Sequence, residues 1–176
     1  MVDANCPWTL DEAIAVAREM AGLDLHWLEE PLWPPEDAAS LARLRAAAPM
    51  PIAAGENAAS LADFAQLLDA ASVDFVQPSI IKMGGVTKMQ RVFEMARARG
   101  IAVAPHSPYF GPGFVATLHA CAANGGEAMI ERYFCDLAAS PLGDVINPVD
   151  GDFLVPQGPG LGVEPDPDVL RRYAVT

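Results

Sequence analysis

The 176-residue chain is 52% apolar and 19% charged, which excludes a disordered polypeptide and leaves room for one domain with a sizeable core. Eleven basic side chains against 23 acidic ones give a formal charge of −12, so nucleic acid and anionic membrane surfaces are excluded as partners, and an anionic substrate needs a bound cation. No apolar run approaches the ~20 residues of a membrane span, Met1 to Asn5 lacks the layout of a signal peptide, and three cysteines in no metal-binding spacing fit a reduced cytoplasm.

Val2 to Asn5 reads as the tail of a strand, and Thr9 with Glu12 forms a capping box for a helix whose inner face is Ala13, Ile14, Ala17 and Met20. Gly22 ends that helix. A buried strand follows from Leu25 to Glu29, with His26 inside it, and closes in Glu29-Glu30-Pro31. Glu36-Asp37 opens a second helix with Leu41, Leu44 and Ala48 inward, and Pro51 to Ala54 is a strand ending in Gly55-Glu56-Asn57. Ser60 with Asp63 caps a third helix carrying Phe64, Leu67 and Leu68; Asp74 to Gln77 is a strand, and Lys82 with Gly84-Gly85 leads into a helix from Val86 to Arg97. Ile101 to Ala104 is a strand before Pro105-His106, Phe114 to Ala123 a helix of small residues, and Glu127 to Ile130 a last strand before Glu131-Arg132. From Leu137 the chain is rich in loops, with prolines at 141, 148, 156, 159, 165 and 167 and a short closing helix from Pro167 to Tyr173.

Strict alternation of short strands and helices implies a parallel sheet with helices outside. The strand ends carry Asp3, Glu29, Glu56, Ser79, His106 and Glu131, at separations of 26, 27, 23, 27 and 25 residues. A (β/α)₈ barrel uses ~30 residues per unit and puts its chemistry at the C-terminal ends of its strands. Any one of these acids reads equally well as a partner for the helix that follows. Those helices are already capped by Thr9, Asp37 and Ser60, however, and three convergent carboxylates repel unless a cation sits among them. A hard, oxygen-preferring ion such as Mg²⁺ suits Asp3, Glu29 and Glu56. His106 beside them is a candidate acid/base, and Glu131 either holds a polar group of the substrate or pairs with Arg132 or Lys82. Glu30, the strand neighbour of Glu29, is expected to point away into a salt bridge, either behind the metal ligands or at the barrel rim.

Taken together, Val2-Asp3-Ala4-Asn5, Trp27-Leu28-Glu29-Glu30-Pro31, Gly55-Glu56-Asn57, Gln77-Pro78, Lys82 to Thr87, His106 and Ile130-Glu131-Arg132 resemble the enolase superfamily, mandelate racemase/muconate lactonizing enzyme branch. The resemblance implies a partial (β/α)₈ barrel over residues 1–136, from the end of strand 3 through strand 8, with a loop-rich tail over 137–176 on the barrel or a capping domain. It implies Mg²⁺ held by Asp3, Glu29 and Glu56, removal of the proton α to a carboxylate, and an enediolate stabilised by the metal. His106 is then the acid/base and Glu131 the electrophilic partner of the substrate carboxylate. The substrate is a small hydroxy-carboxylate or sugar acid.

Two departures shape the expectation. Ser79 stands where the family has an aspartate pairing with the histidine, so His106 acts alone or mainly as an acid in an elimination, and Lys82 is the available substitute. The capping domain and first two strands, with their K-x-K acid/base, do not precede Asp3. Dehydration is therefore favoured over racemisation, which needs a base on both faces of the carbon. Open sheet edges point to a homo-oligomer. The rival expectation is a non-catalytic fragment or a metal-binding pseudo-enzyme.

Overall fold

The computed structural model describes residues 1–125 and 128–175. It divides into two compact units, Met1–Pro105 and His106–Thr176. The division expected at residues 136 and 137 falls inside the second.

Among the described residues the strands lie in the first unit: β1 (Val2–Asp3), β2 (Leu28–Glu29), β3 (Ile52–Ala54), β4 (Phe75–Val76) and β5 (Ala102–Val103). They pair in sequence order, every pair parallel. The crossovers are α1 (Leu10–Glu19), α2 (Ala38–Ala47), α3 (Leu61–Asp69) and α4 (Val86–Arg97). Crossovers between parallel strands are right-handed as a rule, which puts successive helices on one face of such a sheet.

Register sorts the residues onto the two faces, because partners in a parallel ladder point the same way. Leu28 and Ile52, like Val76, are 0% exposed and fill one face. The other carries the row Asp3, Glu29, Ala53, Phe75 and Ala102. There Trp27, Ala53 and Ala104 form a small apolar cluster with Phe75 packed against it.

The strands are shorter than the apolar pattern suggests. A 3-10 turn over Met20–Leu23 and a left-handed Asp24 (φ 48°) turn the chain, and pairing starts only at Leu28. His26 therefore precedes the strand rather than lying in it. It is exposed, with its ring centroid 5.1 Å from those of Trp27 and Phe75.

The expected helix starts are present. The Glu12 carboxylate accepts from the Thr9 backbone N–H at 2.8 Å and from its hydroxyl at 2.7 Å. Asp37 accepts from Ser40 N–H at 3.0 Å, and Ser60 and Asp63 cap α3 reciprocally. These hydrogen bonds hold Glu12, Asp37 and Asp63 below the usual carboxylate range: the Thr9 and Ser40 backbone bonds contribute most to the first two, the Ser60 side-chain bond to the third. A lowered folded-state pKa means stability that is complete above the ordinary carboxylate pKa and lost as pH falls through the lowered values. Asp37→Ala is expected to cost about 1 kcal/mol at neutral pH in a urea melt. The deficit relative to the unmodified chain should narrow in acid.

In the second unit, α5 (Pro112–Ala123) begins on a proline, whose missing N–H costs nothing at that position. Its Phe114, Val115 and Leu118 form a core with Leu142 and Ile146, onto which Tyr109, Ile130, Phe153, Val155 and Leu161 pack. The tail is thus a packed layer on α5, closed by α6 (Pro167–Arg172). Of the strand expected over 127–130, Glu127 lies outside the described residues. Residues 128–130 form no ladder; Ile130 packs into the α5 cluster instead.

Candidate functional site

The first unit gathers acids at the ends of three adjoining strands. Asp3 and Glu29 are direct ladder partners on the same face, and Glu29 is paired in turn with Ala53, three residues before Glu56. Glu29 is 9% exposed, and its Oε2 accepts from the Trp27 indole N–H at 2.8 Å. Asp3 is exposed and its Oδ1 accepts from the Asn5 backbone N–H at 2.9 Å. Glu56 Oε1 takes an ion pair from Lys82 Nζ at 3.1 Å. Among the described residues, no group of three or more His, Cys, Asp or Glu side chains is drawn together as a cation cage. Each carboxylate holds a neighbouring donor instead.

Asp3 and Glu56, with Glu30, nevertheless lie near one another around Cys6. The Cys6 thiol is pushed well above its ordinary value, first by burial, then by its hydrogen bond to Glu30, then by the charges of Glu30, Glu56 and Asp3. All three charges reach one sulfur atom. The donor set is oxygen only, as a hard divalent cation requires.

Glu30 lies behind the ligand row, one of the two places expected for it, but meets hydrogen-bond donors there in place of a salt-bridge partner. It is 3% exposed, and its Oε1 accepts from Gly55 N–H at 2.9 Å. Its Oε2 accepts from Cys6 Sγ at 2.9 Å and Asn57 Nδ2 at 3.4 Å. Alternation of strand faces turns it from the mouth, as anticipated; on the helix-covered side it meets backbone and thiol donors, not a cation.

In the second unit, His106 Nδ1 lies 3.1 Å from the Tyr109 hydroxyl, with the two rings edge to face at 5.6 Å. Glu131 Oε2 accepts from the Ser107 backbone N–H at 3.2 Å, and the Ser107 hydroxyl donates to the Glu131 carbonyl at 3.1 Å. Arg132 turns to Ile146 O, Tyr133 O, Asn147 and Asp136. Lys82 is committed to Glu56, and Ser79 is fully buried. Tyr109 is thus an aromatic hydroxyl partner of His106 that the strand-end pattern overlooks. Its spacing, three residues on in a tight loop, was the available signal.

Residues 1–169 match the family described as "Enolase C-terminal domain-like". The chain belongs to the enolase superfamily. Its relatives include a D-galactarolactone cycloisomerase of Agrobacterium fabrum, 33% identical over 98% of this chain and 48% of that protein. An L-talarate/galactarate dehydratase of Salmonella typhimurium is 39% identical over 60% of this chain and 26% of that protein. Among solved structures, a mandelate racemase/muconate lactonizing enzyme from Bordetella bronchiseptica superposes with a TM-score of 0.86 at 35% identity, over 97% of this chain and 48% of that one. An L-talarate dehydratase from Polaromonas, solved with Mg and L-glucarate, gives 0.79 at 31% identity, over 97% and 46%. The five-stranded parallel sheet is therefore the C-terminal part of an enolase-superfamily barrel. The chain spans just under half the length of the relatives it matches end to end. Among the described residues, no helix is long and apolar enough to cross a membrane.

Proposed function

We propose that this enolase-superfamily chain carries the Mg²⁺ ligands and one acid/base of an enzyme that removes the proton α to the carboxylate of a sugar acid, with loss of water as the outcome. The observation that carries this reading is the ladder pairing of Asp3 with Glu29, with Glu56 two residues beyond the end of the next strand, in a chain related to sugar-acid dehydratases. Asp3, Glu29 and Glu56 would hold the ion. Bound there, Mg²⁺ would neutralise the charge that builds on the substrate carboxylate as the α-proton leaves.

The chain's own residues supply the rest. Tyr109 engages Nδ1 of His106 and fixes the plane of the ring. In a syn elimination one imidazole suffices. It takes the α-proton, the C–O bond at the β-carbon breaks, and the same proton leaves with the hydroxyl as water. The enol so formed tautomerises to a 2-keto-3-deoxy acid. Glu131, anchored by Ser107, is the electrophilic partner of the substrate carboxylate. Lys82 pairs with Glu56 at 3.1 Å.

A second reading is favoured by the cycloisomerases matched over 98% and 99% of this chain. The same α-proton chemistry then operates with a ring oxygen as the leaving group.

The test follows thermal stability during Mg²⁺ titration, then a 2-keto-acid assay on a panel of aldonic and aldaric acids and their lactones. A site loaded to 100 times its Kd should add about 2.7 kcal/mol. No stabilisation at millimolar Mg²⁺ sinks the metal assignment. His106→Asn is expected to abolish product formation and keep the Mg²⁺ shift; unchanged turnover would remove His106 from the mechanism.

A further inference from the structure

We propose that Glu30 is a positioning residue that ties together the three strand ends bearing Asp3, Glu29 and Glu56; this rests on the metal-site reading above. Glu30 directly follows Glu29, and its backbone N–H donates to Ala53 O at 3.0 Å. Its Oε1 holds Gly55 N–H, the residue before Glu56, and its Oε2 contacts Asn57, the residue after. Toward the first strand it receives Cys6 twice: the thiol donates to Oε2 at 2.9 Å, and the Cys6 N–H donates to the Glu30 carbonyl at 2.5 Å. One side chain thus brackets Glu56 and anchors the loop that leaves Asp3.

The backbone is bent to achieve this. Glu30 (φ 43°) and Cys6 (φ 56°) both occupy the left-handed region, which disfavours residues with a Cβ. Two such residues bonded to each other at the mouth of a candidate site mark strain maintained for a purpose. Only a carboxylate suits the position. Three donors converge on two oxygens, and a glutamine would turn its own N–H₂ against one of them.

The test is calorimetric titration of Mg²⁺ into the purified 176-residue chain, with a thermal melt of each metal-free variant. Glu30→Gln is expected to weaken Mg²⁺ binding by about 10- to 100-fold, the usual range for groups that orient ligands. Cys6→Ala should weaken it in the same direction, and Cys6→Ser, which keeps an O–H donor, should restore it; this pair decides the matter if Glu30→Gln fails to fold. Variants that melt earlier yet bind Mg²⁺ as tightly as the unmodified chain would overturn the positioning role and leave the metal site standing. An unmodified chain that takes up no Mg²⁺ overturns the metal reading itself, and the proposal with it.

Discussion

Glu29→Gln is expected to eliminate Mg²⁺-dependent stabilisation and any turnover while leaving the metal-free fold intact. The amide oxygen of glutamine still accepts the Trp27 indole N–H, so this contact of the nearly buried side chain is kept. What is lost is a unit of negative charge. Even with the dielectric of bulk water, a carboxylate about 3 Å from a divalent cation contributes about 3 kcal/mol, so affinity should fall by about 100-fold or more. Calorimetry reads this directly, and the melting midpoint without metal is the control. A variant that binds Mg²⁺ within a few-fold of the unmodified chain would take Glu29 out of the ligand set.

Gly55→Ala should be the most damaging small substitution in the first unit. Gly55 sits at φ 127°, a backbone conformation that residues with a side chain rarely adopt. An added Cβ would lie 3.2 Å from the Gln77 backbone nitrogen, 3.3 Å from the Phe64 ring and 3.4 Å from Val76 Cγ2. Phe64 and Val76 are fully buried, so neither has room to move aside. Strain and overpacking together are expected to cost about 2 to 3 kcal/mol. The check is a urea melt in which the midpoint falls and the slope does not change. A loss below about 0.5 kcal/mol would mean that the turn re-forms around alanine. Since Gly55 N–H donates to Glu30 Oε1, the same variant should also weaken Mg²⁺ binding.

What could be read from the sequence was set by how local its cause is. The capping pairs Thr9 with Glu12 and Ser60 with Asp63 span three residues, and both form as expected. Alternation of helix and strand places the acids at strand ends because Asp3 and Glu29 end their own strands. Strand lengths were overestimated, since an apolar run pairs only where its neighbour is in register, and that depends on turns such as the one ending at Asp24. The direction of Glu30 follows from strand alternation, but its partners do not, because its donors come from Gly55, 25 residues on, and Cys6, 24 residues back. The pairing of Tyr109 with His106 is not in the strand-end pattern: the family likeness directs attention to the Ser79 position, whereas this hydroxyl comes from the loop of His106 itself.

The proline-rich segment after Leu137 acts as a wall. Phe114, Val115 and Leu118 present a broad oily side of α5, and what shuts it from water is Leu142 and Ile146 with Phe153, Val155 and Leu161, carried mostly on chain with no ladder or long helix of its own. Its hold on the helix combines this apolar contact with a hydrogen bond between His119 Nε2 and Leu161 O at 3.0 Å. A protease nick near Pro141 would therefore do more than trim a loose end. It would unroof α5, and the loop carrying His106 and Tyr109 leads straight into that helix.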